Sequence, residues 1–341
     1  MPKSSTTSPA PILKFGVITD IQHAPIPDGK SFSGSPRFYS NALTSTSTIS
    51  SIFEKEECEF ALNLGDIIDG KVKEQSALTH LEVLDNVLAG MNNFTKPWHH
   101  VYGNHELYTD IARPILQNKL NIPFVQEGSE LVAYHSILKK TEVGDYKFIF
   151  LDSYDETVLG RTGSKKAAAE VYLNKNPNYL KGEINSPVGM LDDEVRFVAF
   201  NGGYGEAQME WLKGELERSR DLGERVIISG HQPFHPSTTN LLCLTLNYKP
   251  MLTLLQSYSS TIIATFSGHT HWPGYVEDRG IHHVVFSAVL ESEPGVDSYG
   301  IVKVFEDRLV IEGYGDEVNR FLKIFKSVES SSSKKRKSDD L

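Results

Sequence analysis

Apolar residues recur along this chain in two periods. Over residues 45–56, 78–88 and 207–216 (the last reading AQMEWLKGEL) they fall three and four positions apart, which predicts helices. Elsewhere they gather into short apolar or β-branched stretches: FGVIT, FALNL, WHHVY, RVIIS and IIATFS. These predict buried strands, joined by YKFIFLD (146–152), HHVVFSAV (282–289), GIVKVFED (300–307) and LVIEGYG (309–315). Strands alternating with helices early, then a late cluster of strands, predict an α/β fold of two mixed sheets packed face to face with helices outside. Residues 153–199 hold no clear strand, and their Gly, Asn and Pro content predicts a long insertion near the mouth of any site. The expected domain therefore runs over 13–326. A mobile polar segment precedes it (1–12) and a tail with no buried face to offer follows it (327–341).

The five strand-like stretches share one property. Each ends in side chains able to hold a metal: Asp20-Ile21-Gln22, Gly65-Asp66-Ile67-Ile68-Asp69, Gly103-Asn104-His105-Glu106, Gly230-His231 and Gly268-His269-Thr270-His271. Singly, Asp, Asn and His are ordinary loop residues that cap turns. Jointly they are not ordinary, because loop duty gives no reason for them to recur at one end of successive strands. In parallel sheets residues distant in sequence converge outside the carboxyl ends of the strands, so the five runs point to one site holding two divalent metals. The glycines at 65, 103, 230 and 268, each just before a ligand, are expected to let the backbone turn sharply after its strand.

This order of motifs resembles the calcineurin-like metallophosphoesterase superfamily from about residue 15 to residue 315. The resemblance implies that superfamily's four-layer αββα sandwich. It also implies a partition of ligands: Asp20, Gln22 and His271 on one metal, Asn104, His231 and His269 on the other, and Asp66 bridging both. Such a mixture of carboxylate, amide and imidazole suits Mn²⁺, Fe, Zn²⁺ or Mg²⁺, not a thiolate zinc site. Only Cys58 and Cys243 are present, so a cysteine metal site is out of reach. Gln22 departs from the usual Asp-x-His. A neutral oxygen in place of imidazole favours manganese over zinc, and Mg²⁺ is expected to serve less well. The same Asp-x-Gln occurs in the branch that hydrolyses ADP-ribose and CDP-alcohols with manganese. Leu64-Gly65-Asp66-Ile67-Ile68-Asp69-Gly70, Asn185-Ser186-Pro187, Phe200-Asn201-Gly202-Gly203 and Gly268-His269-Thr270-His271 also look like that branch.

The chemistry so implied is hydrolysis of the diphosphate bond of ADP-ribose, CDP-choline or CDP-glycerol to a nucleoside monophosphate and a phosphorylated sugar or alcohol. Two cations share a hydroxide and clamp the phosphoryl oxygens for in-line displacement. His105 is the candidate proton donor to the leaving group, oriented by Asp69. Phe32, Leu191, Cys243 and Tyr248 lie in segments the resemblance places around the site, and Arg37 is a candidate phosphate clamp. Each of these five is also an ordinary packing or surface residue. The rival readings are a phosphodiesterase or phosphomonoesterase of the same superfamily, and a non-catalytic scaffold. The retained Asn104-His105 pair weighs against the scaffold.

Composition changes this picture in two places. With 34 Lys and Arg against 44 Asp and Glu the formal net charge is −10, which argues against a protein that coats nucleic acid. Two metal ions still leave a positive site for a small anionic substrate, since a bound ion can override the surface around it. Two cysteines, no apolar leader and no run of ~18 apolar residues fit a cytoplasmic, membrane-free protein, expected to be a monomer. The basic run Lys334, Lys335, Arg336 and Lys337 is a candidate nuclear address, or simply a solvated tail.

Overall fold

The computed structural model describes residues 9–31, 34–72 and 76–324. The tail, its basic run, the first eight residues and Phe32 lie outside the described residues. In chain order the sheet strands are β1 (Leu13–Ile18), β2 (Ala61–Asn63), β3 (Trp98–His100), β4 (His135–Lys139), β5 (Tyr146–Phe150), β6 (Arg225–Ser229), β7 (Ile262–Ser267), β8 (Gly274–Asp278), β9 (Ile281–Val285), β10 (Tyr299–Val304), β11 (Arg308–Tyr314) and β12 (Arg320–Lys323). They form two six-stranded sheets, ordered β12-β11-β10-β1-β2-β3 and β8-β9-β7-β6-β5-β4. In the first, β1, β2 and β3 are parallel and reach one edge, with β10, β11 and β12 antiparallel on the other side of β1; in the second, β5, β6, β7 and β9 are parallel between the antiparallel edge strands β4 and β8.

Aromatic residues on the facing sides of the sheets make the central core. Phe15 stacks on Phe60 at 4.9 Å, and both meet Phe148 edge-on at 5.4 and 5.0 Å. The helices Tyr39–Lys55 and His80–Met91 cover the first sheet through Ile49, Phe53, Val83, Leu84 and Val87. Glu206–Leu222 and Tyr248–Ser257 cover the second through Leu212, Leu216, Met251 and Leu255. The result is the expected four-layer αββα sandwich.

Departures from the sequence reading have local causes. The first helix starts at Tyr39, not at 45, because its Ser- and Thr-rich turns hide the apolar period. Thr46 and Ser50 hydrogen-bond back to Ala42 O and Thr46 O (2.8 and 2.7 Å), which lets hydroxyls sit buried inside a helix. The helix Glu206–Leu222 runs six residues past the expected end and stops at Gly223, in the left-handed conformation at φ 72°. β4, β8 and β12 escaped notice because they lie at or near sheet edges and lack a continuous apolar run. Among its described residues the 153–199 segment has no strand, as expected, and folds as short helices (Gly163–Leu173 and Pro177–Leu180) around Ala169, Leu173 and Phe197. His99 and His100 do straddle one strand. His99 stacks on Phe150 toward the other sheet, while His100 lies over Trp98 on the outer face.

Candidate metal centre

All five ligand-bearing runs lie just past the carboxyl ends of parallel strands: Asp20 after β1, Asp66 after β2, Asn104 after β3, His231 after β6 and His269 after β7. The first three come from one sheet and the last two from the other, so the runs meet at the seam between the sheets. Two groups of ligand atoms gather there, Asp20–Asp66–His271 and Asp66–His231–His269, each with its atoms within 4.8 Å of one another. Asp66 belongs to both.

The glycines act differently from the expectation. Only Gly65 has positive φ (99°). Gly103, Gly230 and Gly268 do not, and it is the ligands that occupy the left-handed region: Asp20 (51°), Gln22 (42°), Asp66 (58°), His269 (70°) and His271 (67°). This conformation costs roughly 1–2 kcal/mol per non-glycine residue, and the surrounding loops must enforce it. What the glycines supply is room. A Cβ on Gly103 would lie 2.6 Å from Asp66 Cγ and nearer still to its Oδ1, and one on Gly268 would lie 2.5 Å from Asp20 Oδ2.

Further contacts aim each ligand. Asp20 Oδ2 accepts from Thr19 Oγ1 (2.7 Å) and from the His269 N–H (2.9 Å). Its Oδ1 is buried without a hydrogen bond and faces His271 Nε2 at 3.4 Å. A buried carboxylate oxygen left in that state beside two imidazoles is what a cation would satisfy. His231 Nδ1 lies 2.7 Å from Leu64 O and His271 Nδ1 lies 2.8 Å from Glu291 Oε1, which leaves both Nε2 atoms toward the cluster. His269 presents Nδ1 at 3.1 Å from His231 Nε2, and its Nε2 meets Asn201 Oδ1 at 3.3 Å. Glu106, fully buried, accepts from the backbone N–H groups of Gly103 (2.8 Å), Asp66 (3.0 Å) and Ile67 (2.5 Å), tying the two ligand loops together. Burial and neighbouring Asp66 push its pKa up to about 7. Burial also raises Asp20, whereas burial and His231 hold His269 well below the usual histidine value. For Asp66 and His231 burial opposes charge, but their mutual attraction wins: Asp66 sits well below the carboxylate range and His231 is raised to about 9. The donor set therefore fits two hard or borderline divalent ions.

Gln22 reaches the same place. Its Nε2 donates to Asp66 Oδ2 (2.9 Å) and lies 3.1 Å from His271 Nε2, while its Oε1 accepts from Arg37 (2.9 Å). A half-turn of the terminal amide exchanges the two ends. Arg37 is thus held at the rim by Gln22 and, at 3.6 Å, by Asp69 Oδ2. His105 Nδ1 stands 3.3 Å from the same Asp69 oxygen, its ring flanked by Tyr108. The 153–199 segment touches this rim through Asn185, which donates to the Tyr108 hydroxyl at 3.2 Å. Asn201 also donates to Leu242 O (2.7 Å), bringing the Leu241–Cys243 turn beside His269. Leu191 is exposed, and Tyr248 is buried under Arg196 with its hydroxyl 3.3 Å from Asp193.

With fold and cluster in place, the class follows. A profile of the calcineurin-like phosphoesterase family matches residues 13–273, and the chain belongs to that family. Among curated relatives, it is 34% identical over 312 residues to the manganese-dependent ADP-ribose/CDP-alcohol diphosphatase of Oryza sativa subsp. japonica, covering 90% of this chain and 92% of that one. The human protein of the same name is 32% identical over 338 residues, covering 94% and 95%. A solved dimetal phosphatase from Danio rerio superposes with a TM-score of 0.84 at 30% identity, covering 92% of this chain and all of that one.

Proposed function

We propose that this protein is a manganese-dependent hydrolase of the diphosphate bond in ADP-ribose and CDP-alcohols, releasing AMP or CMP and a phosphorylated sugar or alcohol. The observation that carries the reading is the pair of three-ligand groups sharing Asp66 with Gln22 beside it. It stands in a chain alike over nine-tenths of its length to diphosphatases of that name. Asp20, Gln22 and His271 would hold one ion, and Asn104, His231 and His269 the other, with Asp66 between. When bound, the ions would lower the pKa of water and neutralise phosphoryl charge. His105, on the rim 3.3 Å from Asp69, delivers a proton to the leaving phosphate, and Asp69 fixes the ring. Arg37 adds a positive charge within reach of the phosphoryl oxygens. Leu191 and Cys243 would lie on the nucleoside side of the pocket.

The ligand set is small-molecule chemistry, and among the described residues no helix is long and apolar enough to cross a membrane. We take the protein to act as a cytoplasmic monomer, in keeping with its free cysteines and net charge of −10. ADP-ribose, CDP-choline, CDP-glycerol, AMP and a phosphopeptide, each assayed with Mn²⁺ and with Mg²⁺ and resolved by chromatography, test the reading. The diphosphate esters should be cleaved fastest, and faster with Mn²⁺. More rapid hydrolysis of AMP or the phosphopeptide would overturn the reading in favour of a phosphomonoesterase.

A further inference from the structure

We infer that Tyr154 is a positioning residue for one half of the metal centre, acting through Asn104. The inference rests on the ligand assignment proposed above. Tyr154 is fully buried, and its hydroxyl donates to Asn104 Oδ1 at 3.1 Å. An amide oxygen carries two lone pairs. The tyrosine takes one and leaves the other for a cation, and so decides which end of the amide faces the cluster. Without that bond the Asn104 amide can turn its NH₂ inward, where a donor meets a cation. The ring of Tyr154 also lies 6.0 Å from that of His231, so one side chain supports two ligands of the same ion.

The tyrosine is itself rigidly held. Its N–H donates to Asp152 Oδ1 (2.9 Å), and its carbonyl accepts from Arg113 Nη2 (2.8 Å), whose Nη1 lies 3.1 Å from Asp152 Oδ2. Asp152 is fixed in turn by its N–H donating to Gln208 Oε1 (2.9 Å). The buried Asp152–Arg113 pair thus fixes the height of the phenol above Asn104. The other ion's ligands have separate supports, Thr19 for Asp20 and Glu291 for His271, and neither touches Tyr154. Removing the hydroxyl should therefore affect the two ions unequally.

The test is Mn²⁺ binding to the purified full chain, followed by calorimetry and by the electron paramagnetic resonance of coupled Mn²⁺ pairs. Wild type should bind two ions and show the coupled signal. Tyr154→Phe should keep one ion at wild-type affinity and bind the second about 10–100-fold more weakly. At two equivalents its signal should be that of isolated Mn²⁺. Tyr204→Phe removes another buried hydroxyl, bonded among the described residues to Ser153 Oγ (3.2 Å), and should leave both affinities unchanged. Equal affinities in wild type and Tyr154→Phe would overturn the proposal. So would equal weakening of both ions, or the same loss in Tyr204→Phe, since either marks general damage to the fold. A wild type that binds fewer than two ions would instead defeat the ligand assignment itself.

Discussion

Replacing Gly103 by alanine tests whether the packing of the ligand loops, not just their chemistry, makes the site. The added Cβ would lie 2.6 Å from Asp66 Cγ and closer to Oδ1, against ordinary contacts of 3.4–4 Å. Relief needs a displacement of about 1 Å, and the backbone offers little, since the Gly103 N–H is bonded to Glu106 (2.8 Å). The new Cβ also crowds the Asp66 backbone nitrogen, so the Asp66 loop must shift together with its carboxylate, which gives up its bond from the His105 N–H (2.8 Å). Overpacking costs about 1–3 kcal/mol and the charged hydrogen bond about 1.5–3 kcal/mol. A stability loss of about 2.5–6 kcal/mol is expected, read by urea unfolding of the metal-free protein. Because Asp66 serves both ligand groups, Mn²⁺ affinity should fall about 10–100-fold and kcat by about 10²-fold for an error of this size. Gly16→Ala is the control. Its Cβ would meet the Phe53 ring at 2.5 Å, far from the ligands, so it should lower stability while sparing Mn²⁺ affinity. Wild-type Mn²⁺ affinity in Gly103→Ala, or an equal loss in Gly16→Ala, would refute the reasoning.

Three further predictions concern proton transfer, metal choice and acid stability. His105→Ala should retain two metals yet lose about 10²–10⁴-fold in kcat, whereas Asp66→Ala should fail to hold them, as elemental analysis of both variants will show. A near-normal rate in His105→Ala removes it from catalysis. Gln22→His should shift metal preference from Mn²⁺ toward Zn²⁺, and an unchanged ranking of Mn²⁺, Mg²⁺ and Zn²⁺ activation contradicts this. Burial lowers both His100 and His283 to about 3. The unfolded chain then binds their protons from about pH 6.5 downward while the folded chain does not. Their contribution is therefore complete above that pH and is lost toward pH 4, at about 1.4 kcal/mol per pH unit each. Replacing both by glutamine should flatten the urea-derived stability profile between pH 6 and 4, and an unaltered slope refutes the assignment.

The gathering of Asp20, Asp66, His231, His269 and His271 was legible because their positions are set locally. Each run lies just past an apolar or β-branched strand, and the parallel order of those strands does the rest. The residues that aim them were not legible. Tyr154, Asn201 and Glu291 reach Asn104, His269 and His271 from 50, 68 and 20 positions away, and no periodicity marks such partners. Backbone geometry was misread for a similar reason. Glycine beside a ligand suggested a turn at the glycine, but Gly103, Gly230 and Gly268 have no positive φ; left-handed backbone falls on Asp20, Gln22, Asp66, His269 and His271, while Gly103 and Gly268 yield space to a loop from another strand. Packing between loops distant in sequence decides which of the two holds. Arg37 was recognised as a cation near the site, yet its contacts with Gln22 and Asp69, 15 and 32 positions away, appear only in the folded chain.

Because the site straddles the seam between two sheets, its ligands belong to stretches of chain that cannot meet until both sheets have docked. Asp20 and His269 are 249 residues apart, yet the backbone of one bonds the carboxylate of the other. A nascent or partly opened chain presents only scattered donors, at most two to a stretch, which bind Mn²⁺ weakly. Metal binding then selects the fully closed chain and stabilises it by about 2.7 kcal/mol when Mn²⁺ stands at a hundred times its dissociation constant. Manganese supply would set the lifetime of this protein as well as its rate. In a manganese-poor cell the population should thin through opening and proteolysis, before any inhibitor or mutation touches the chemistry.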